Sequence, residues 1–199
     1  MAEPLTVRTA PAPARAACTS LLAQHAPLRA VPLCPEIRAH YAHSLVAVWQ
    51  AAEEIAGQPL DSPFWAYPWA GGCALARVLL DTPDLVAGRS VLDLGAGGGV
   101  ASLAAARAGA ARVVANDIDV WALTVAELAA SAQALALETL HTDICARPAL
   151  VDDYDVVLCS DLAYERVEAP RQRHVLERAA ANGAAVLVAD AGRTYFSPD

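Results

Sequence analysis

The chain has 199 residues, of which 22 are acidic and 14 basic, with a net charge of −8 and a sequence pI of about 5.0. This length fits one domain with a substantial core, and 56% hydrophobic with 18% charged residues is typical of a globular enzyme. The acidic balance disfavours partners such as nucleic-acid backbones and anionic membrane surfaces. No apolar run reaches the roughly 18 residues that a membrane-spanning helix needs.

Five cysteines stand far apart without a C-x-x-C pair: Cys18, Cys34, Cys73, Cys145 and Cys159. An odd number of isolated cysteines favours free thiols in a reducing compartment and disfavours a zinc cluster. The N-terminus also lacks the continuous apolar segment of a secretion signal. The sequence therefore predicts a cytoplasmic protein without a metal site.

The N-terminal part is rich in alanine and proline, so we expect a flexible tail over residues 1–34. From Pro35 to Ile55, apolar residues recur at helical spacing, which predicts a helix that begins near Pro35 and stops at Gly57. A proline-broken aromatic loop and a short helix follow, so residues 35–90 are expected to hold N-terminal helices and the aromatic loop.

Residues 91–199 alternate between short apolar runs and helical patterns. The predicted strands cover 91–94, 112–116, 137–141, 155–160 and 184–189, and the predicted helices cover 98–108, 120–134 and 168–181. This alternation predicts an α/β, Rossmann-like, mostly parallel sheet with helices on both faces, within one domain and preceded by an N-terminal helical extension. In such a sheet, ligands bind at the carboxyl ends of the strands.

The stretch 91–100, VLDLGAGGGV, reads as a buried strand that runs into a glycine loop. Gly95, Gly97 and Gly99 allow a sharp turn and a close approach of the backbone to a ligand. Asp93, just before the turn, can accept a hydrogen bond from a ligand ammonium or from a backbone N–H. The stretch favours a cofactor site for a nucleoside over a purely structural turn.

Two other phosphate-binding patterns do not fit this loop. The dinucleotide fingerprint G-x-G-x-x-G/A needs glycine or alanine at its last position, but Val100 stands there when counting starts at Gly95, and Ser102 when it starts at Gly97. A P-loop needs a lysine, and the chain has none.

Further acidic residues follow the next two predicted strands. Asp117 lies 22 residues beyond Gly95, where an acid takes the two ribose hydroxyls. Asp119 is interpreted as a helix N-cap. Asp143 either accepts a hydrogen bond from an adenine amino group or only caps its loop, and both interpretations stay open.

The fourth predicted strand ends in Ser160, Asp161 and Tyr164. A carboxylate at this position can bind a cationic amine and accept its proton, and a tyrosine ring can add a cation–π contact. Without the glycine loop upstream, the same residues would read as a strand end with a capping aspartate.

Four stretches together resemble the class I, seven-strand S-adenosylmethionine-dependent methyltransferases. They are PFWAYPWAGGCALARVLLD at 63–81, VLDLGAGGGV at 91–100, VVANDID at 113–119 and SDLAY at 160–164. The aromatic stretch and the D-x-x-Y motif are similar to those of protein-lysine methyltransferases, in particular the electron transfer flavoprotein β-subunit lysine methyltransferases and their bacterial relatives. The resemblance covers roughly residues 35–193.

This resemblance implies S-adenosylmethionine as the cofactor. By position it implies Trp69 beside the cofactor, Gly95 to Gly99 around its methionine part, Asp117 on the ribose, residues 143–144 at the adenine and Ser160 near the methyl donor. Asp161 and Tyr164 match the D-x-x-Y motif at the substrate amine. The competing interpretation of Trp69 is an ordinary core aromatic.

The resemblance further implies methylation of a lysine side chain in a protein substrate, for which the electron transfer flavoprotein β subunit is a candidate. A small-molecule N-methyltransferase of the nicotinamide type, acting on a small amine, and a non-catalytic cofactor-binding protein are the alternatives. Methylation of nucleic-acid bases is disfavoured because residues 161–164 lack the prolines of the D/N-P-P-Y/F motif. The oligomeric state is left open.

Two features depart from the family pattern. Ala163 replaces a larger aromatic residue, which widens the acceptor site. The sequence stops at Asp199, whereas the family continues through antiparallel strands, so we expect these last strands to be missing from the sheet.

Overall fold

The computed structural model describes residues 13–196. Its helices and strands, in chain order, are α1 (Arg15–His25), β1 (Leu28–Val31), β2 (Cys34–His40), α2 (Leu45–Ala56), α3 (Ala70–Asp81), β3 (Ser90–Leu94), α4 (Val100–Arg107), β4 (Arg112–Asp117), α5 (Val120–Ser131), β5 (Glu138–His141), β6 (Val156–Ser160), α6 (Glu168–Ala181) and β7 (Ala185–Ala189). Across the described range, every helix is too short or too polar to cross a membrane.

The N-terminal region corrects the expected flexible tail over 1–34. Helix α1 and the antiparallel hairpin of β1 and β2 occupy most of residues 15–40, while residues 1–12 lie outside the described range. Leu22 of α1 and Ile37 of β2 are fully buried. The few large apolar residues of this segment are therefore buried in the core and hold the segment in place.

The helix predicted from Pro35 begins later, at Leu45, because β2 takes the first part of the pattern. Residues four apart share one face of a strand as well as one face of a helix, so the spacing alone did not separate the two. Ser44 caps α2 by accepting from the backbone N–H of Ala47. The predicted stop is confirmed, since Gly57 ends α2 at φ +66°.

The sheet confirms the predicted α/β class. Its five strands run parallel in the order β5-β4-β3-β6-β7, and each lies within two residues of its predicted bounds. The chain moves outward from β3 to β5 and then returns to the other side of β3. This reversal places the ligand crevice at the carboxyl ends of β3 and its neighbours. Within the described residues β7 is the last strand and lies at one edge.

Alternate side chains of the strands enter two separate cores. Val91 and Val113 pack with α3, α4 and α5 on one face, whereas Leu92 and Val114 pack with α6 on the other. Both faces of the sheet are therefore covered by helices, as predicted for buried parallel strands.

The side chain of Gln133 links the N-terminal hairpin to the end of α5. Its Oε1 accepts from the Arg38 backbone N–H at 2.7 Å, and its Nε2 donates to the carbonyl oxygens of Arg38 at 2.7 Å and Ala129 at 2.8 Å. This amide therefore replaces a missing strand neighbour of β2.

We expect Gln133→Ala to lower the free energy of unfolding by about 1–2 kcal/mol, because three hydrogen bonds are lost. Hydrogen exchange at the Arg38 amide should accelerate, which nuclear magnetic resonance can measure directly. The control is Gln50→Ala on the exposed face of α2. Unchanged exchange at Arg38 would show that other contacts hold the hairpin.

Candidate functional site

The glycine loop between β3 and α4 makes the sharp turn that its sequence predicts. Gly95, Gly97 and Gly99 all have left-handed backbones, with φ of +65°, +53° and +79°. A Cβ on Gly95 would lie 2.5 Å from the side chain of Leu162, so the loop packs directly against the D-x-x-Y turn. Around Gly97 the space is open, because the nearest atom to a Cβ there would be the Trp65 Cα at 3.8 Å. The loop is closed on one side and accessible at Gly97.

Asp93 is directed into the protein and not into the crevice. Its Oδ2 accepts from the backbone N–H of Ser102 at 2.9 Å and from the Ser102 hydroxyl at 2.6 Å, in the first turn of α4. The backbone N–H is one of the two partners that the sequence allowed. Burial raises the pKa of this carboxyl to about 6. Asp93 thus links the end of β3 to α4 and supports the loop from inside.

Asp117 bridges the glycine loop and the turn that follows β4. Its Oδ2 accepts from the backbone N–H of Gly97 at 2.9 Å, and its Oδ1 accepts from that of Asp119 at 2.9 Å. Burial raises the pKa of Asp117. A carboxylate offers about four lone-pair positions, so the side chain can still accept from a ligand hydroxyl.

Asp119 is the N-cap of α5, as predicted, and its Oδ1 accepts from the backbone N–H of Trp121 at 2.8 Å. Burial, and after it the charge of Asp117, raises the pKa of Asp119 to about 6. These two neighbouring carboxyls therefore concentrate negative charge at the end of β4.

A cavity of about 210 Å³ adjoins this strand end. Trp49, Trp65 and Trp121 line it together with Ile118 and Asp119. The buried indole nitrogen of Trp121 has no hydrogen-bond partner among the described residues. Flat aromatic side chains beside Asp119 fit part of a nucleoside.

Asp143 is engaged by the protein itself. Its carboxylate accepts from the backbone N–H of Ala146 at 3.3 Å and pairs with the guanidinium of Arg171 at 2.9 Å. It thereby caps the 3-10 turn Ile144–Ala146, which is the capping interpretation left open above. Arg171, on α6, gave no signal in the sequence because the two residues meet only in the folded chain.

Asp161 is buried where β6 meets the first turn of α3. Its Oδ2 accepts from the backbone N–H of Gly72 at 3.0 Å, and its own backbone N–H donates to Ala189 at 3.0 Å. A Cβ on Gly71 would lie 2.6 Å from that Oδ2, and one on Gly72 would lie 3.4 Å from the Ser160 hydroxyl. Only glycine at position 71 allows this approach, whereas a Cβ at position 72 would make an ordinary contact. Sequence reasoning missed the role of Gly71, although it stands in the stretch 63–81.

The backbone of Asp161 is in the left-handed region, at φ +55°. This conformation is uncommon for a residue other than glycine and is found most often at functional sites. Its carboxylate is held at a helix N-terminus, where negative charge is stabilised.

Trp69 lies at the start of α3 as part of the site and outside the buried core. Its indole N–H donates to the Phe64 carbonyl at 2.8 Å, and the guanidinium carbon of Arg193 lies 5.0 Å from its ring centre. Arg193 also approaches Asp161, with Nη2 3.4 Å from Oδ1. Sequence reasoning missed Arg193; its only signal was a polar segment after the last parallel strand.

An exposed aromatic cluster surrounds Trp69. The Phe64 ring is 5.7 Å from that of Tyr164 and 6.1 Å from that of Trp69, both edge-on, and Tyr67 lies 4.9 Å from Trp69. The structure thus brings Trp69, Asp161 and Tyr164 to one place, next to the glycine loop. Within residues 13–196, no group of three or more His, Cys, Asp or Glu side chains is arranged to hold a metal ion.

Because folding raises its pKa, Asp93 stabilises the fold fully only below about pH 4, and this contribution is lost as the pH rises through about 6. Asp93→Asn keeps an oxygen for Ser102 without the buried charge. The difference in unfolding free energy, variant minus wild type, should therefore increase by about 2 kcal/mol between pH 4 and pH 7.5.

Chemical denaturation at several pH values measures this difference. The control is Asp84→Asn, which removes an exposed carboxylate of the same size. A difference between Asp93→Asn and wild type that does not change with pH would contradict the assignment.

Comparison with known proteins agrees with this geometry. Residues 91–182 match a family described as a methyltransferase domain. The chain is 34% identical over 180 residues to the electron transfer flavoprotein beta subunit lysine methyltransferase of Xenopus laevis, an overlap of 89% of this chain and 72% of that protein. It is 36% identical over 165 residues to the protein of that name from Danio rerio, covering 82% of this chain and 63% of the relative. The chain spans about two thirds of the length of these relatives.

A solved structure with a similar fold is the T. thermophilus 16S rRNA N2 G1207 methyltransferase in complex with AdoMet and guanosine. It superposes with a TM-score of 0.52 at 26% identity, over 64% of this chain and 36% of that one. The sheet and helices described above therefore have the arrangement of class I methyltransferases.

Proposed function

Since the chain belongs to the family of electron transfer flavoprotein beta subunit lysine methyltransferases, which depend on S-adenosylmethionine, we propose that it methylates a lysine side chain of a protein substrate. The observation that carries the proposal is the contact of Gly95 with Leu162. The glycine loop thereby lies against the turn that holds Asp161 and Tyr164, which supports a donor site and an acceptor site in one crevice.

The residues present fit the cofactor. The open side of Gly97 leaves room for the methionine part, and Asp117 has lone pairs left for the ribose hydroxyls. The tryptophan-lined cavity next to Ile118 suits the adenine. Asp143 is already paired with Arg171 and does not line this cavity. Ser160 and Trp69 lie near the methyl donor in this proposal.

When bound, S-adenosylmethionine would supply a methyl group on a positively charged sulfur, and a neutral amine would attack the methyl carbon in line with the C–S bond. The residues of the chain hold that amine in place. Correct positioning of two reactants is worth on the order of 7–11 kcal/mol, and Asp161, fixed by Gly72, can orient the amine through its charge. The proton that the amine loses leaves through Asp161 or through water.

The exposed aromatic residues at the rim of the crevice favour a protein as the substrate. Phe64, Tyr67 and Tyr164 are each more than two fifths exposed, and exposed aromatic side chains are enriched where proteins meet. By the names of its relatives, the electron transfer flavoprotein β subunit is the partner to test first.

We expect the purified chain to transfer methyl groups from S-adenosylmethionine to lysines of the recombinant electron transfer flavoprotein β subunit, as read by peptide mass spectrometry. Asp161→Asn should lower the rate by about 100-fold, because the charge that orients the amine is lost. The asparagine oxygen can still accept from Gly72, so binding of S-adenosylhomocysteine should be retained.

Asp84→Asn is the control and should keep full activity. Full activity of Asp161→Asn would remove this residue from the mechanism. A parallel assay uses a cell extract separated into proteins and metabolites. Transfer of methyl groups only to the metabolites would favour the small-molecule alternative. Cofactor binding without transfer to proteins or metabolites would favour a non-catalytic protein.

A further inference from the structure

A positively charged side chain of the protein itself lies in the acceptor region. The guanidinium of Arg193 stands over the Trp69 ring at 5.0 Å and faces the Asp161 carboxylate at 3.4 Å. An aromatic face together with a carboxylate is a binding arrangement for a cation. Asp161 is also the residue that, in the proposed function, orients the amine of the substrate.

The contacts of Arg193 are incomplete. The 3.4 Å separation from Asp161 is well above the roughly 2.8 Å of a strong charged hydrogen bond. The Arg193 Nε is buried and has no hydrogen-bond partner among the described residues. The guanidinium is therefore held mainly by charge and stacking, and a better-fitting cation can displace it.

The backbone after β7 brings Arg193 to this position. The Arg193 N–H donates to the Asp190 carboxylate at 2.6 Å, and the Tyr195 N–H donates to the Ala163 carbonyl at 3.2 Å. Segment 190–196 thus lies against the D-x-x-Y turn. These backbone contacts do not depend on the guanidinium, so the side chain can move while the segment stays in place.

We propose that Arg193 is a resident cation of the acceptor site, which the ammonium group of a substrate lysine displaces. This inference rests on the proposed function, because it takes Asp161 as the site of the amine. Arg193 thereby sets the specificity of the site. A positively charged side chain competes for Trp69 and Asp161, whereas a neutral acceptor has no means of displacing the guanidinium.

The competition has a measurable consequence. An incoming cation binds only to the fraction of molecules in which Arg193 has left, and its apparent affinity falls by that fraction. Removing the guanidinium should therefore tighten binding of a lysine-like cation. A residue that merely positions Asp161 would have the opposite effect, because its loss would disturb the site.

The probe is n-butylammonium, which carries the end of a lysine side chain, titrated by nuclear magnetic resonance into the full chain with S-adenosylhomocysteine present. Arg193→Ala should bind the probe about tenfold more tightly than wild type. Arg193→Lys should resemble wild type, because a cation remains. Arg193→Gln, which keeps most of the side-chain volume, should repeat the gain and serves if the alanine variant folds poorly.

Arg178→Ala is the matched control, because Arg178 also pairs with a carboxylate, that of Asp152. Arg178 lies on α6, so its removal should leave probe binding unchanged. Adding Asp161→Asn to Arg193→Ala should abolish the gain. Equal or weaker probe binding in Arg193→Ala and Arg193→Gln would overturn the proposal. Binding of the probe requires no methyl transfer. Tighter probe binding in Arg193→Ala, in a protein that methylates no lysine, would contradict the proposed function and still support this inference.

Discussion

Close backbone packing around the glycine loop holds the whole crevice together. A Cβ on Gly95 would lie 2.5 Å from Leu162, one on Gly98 would lie 2.5 Å from the Trp65 carbonyl, and one on Gly99 would lie 2.8 Å from Ala126. The loop therefore touches the D-x-x-Y turn, the aromatic loop and α5 at once. No other residue type permits these approaches, so each element is positioned relative to the others through this turn.

Two carboxylates that support the glycine loop are held by the fold at a cost in stability. Asp93 is buried and Asp117 half-buried, and each accepts from at least one backbone N–H, yet burial still raises the pKa of both. Asp161 is held in the same way by Gly72 and faces the one cation, Arg193, that the described residues place beside it. The buried carboxyls of Asp93 and Asp117 thus oppose stability at neutral pH.

Local patterns explain how much the sequence could predict. The strands of the parallel sheet, the glycine turn and the N-cap at Asp119 each depend on a few consecutive residues, and all were located correctly. The hairpin at β2 was not, because the spacing around Ile37 fits a strand and a helix equally. Contacts between distant residues left no signal either: Asp161 meets Gly72 and Arg193 only once the chain has folded.

We propose that the open side of the glycine loop and Asp117 form a nucleoside site. A crystal structure of the chain with S-adenosylhomocysteine would test this assignment. We expect the ribose hydroxyls within hydrogen-bonding distance of the Asp117 carboxylate, the amino-acid part along Gly95 to Gly99, and the adenine beside Ile118. A ligand bound elsewhere, with Asp117 still bonded only to Gly97 and Asp119, would contradict it.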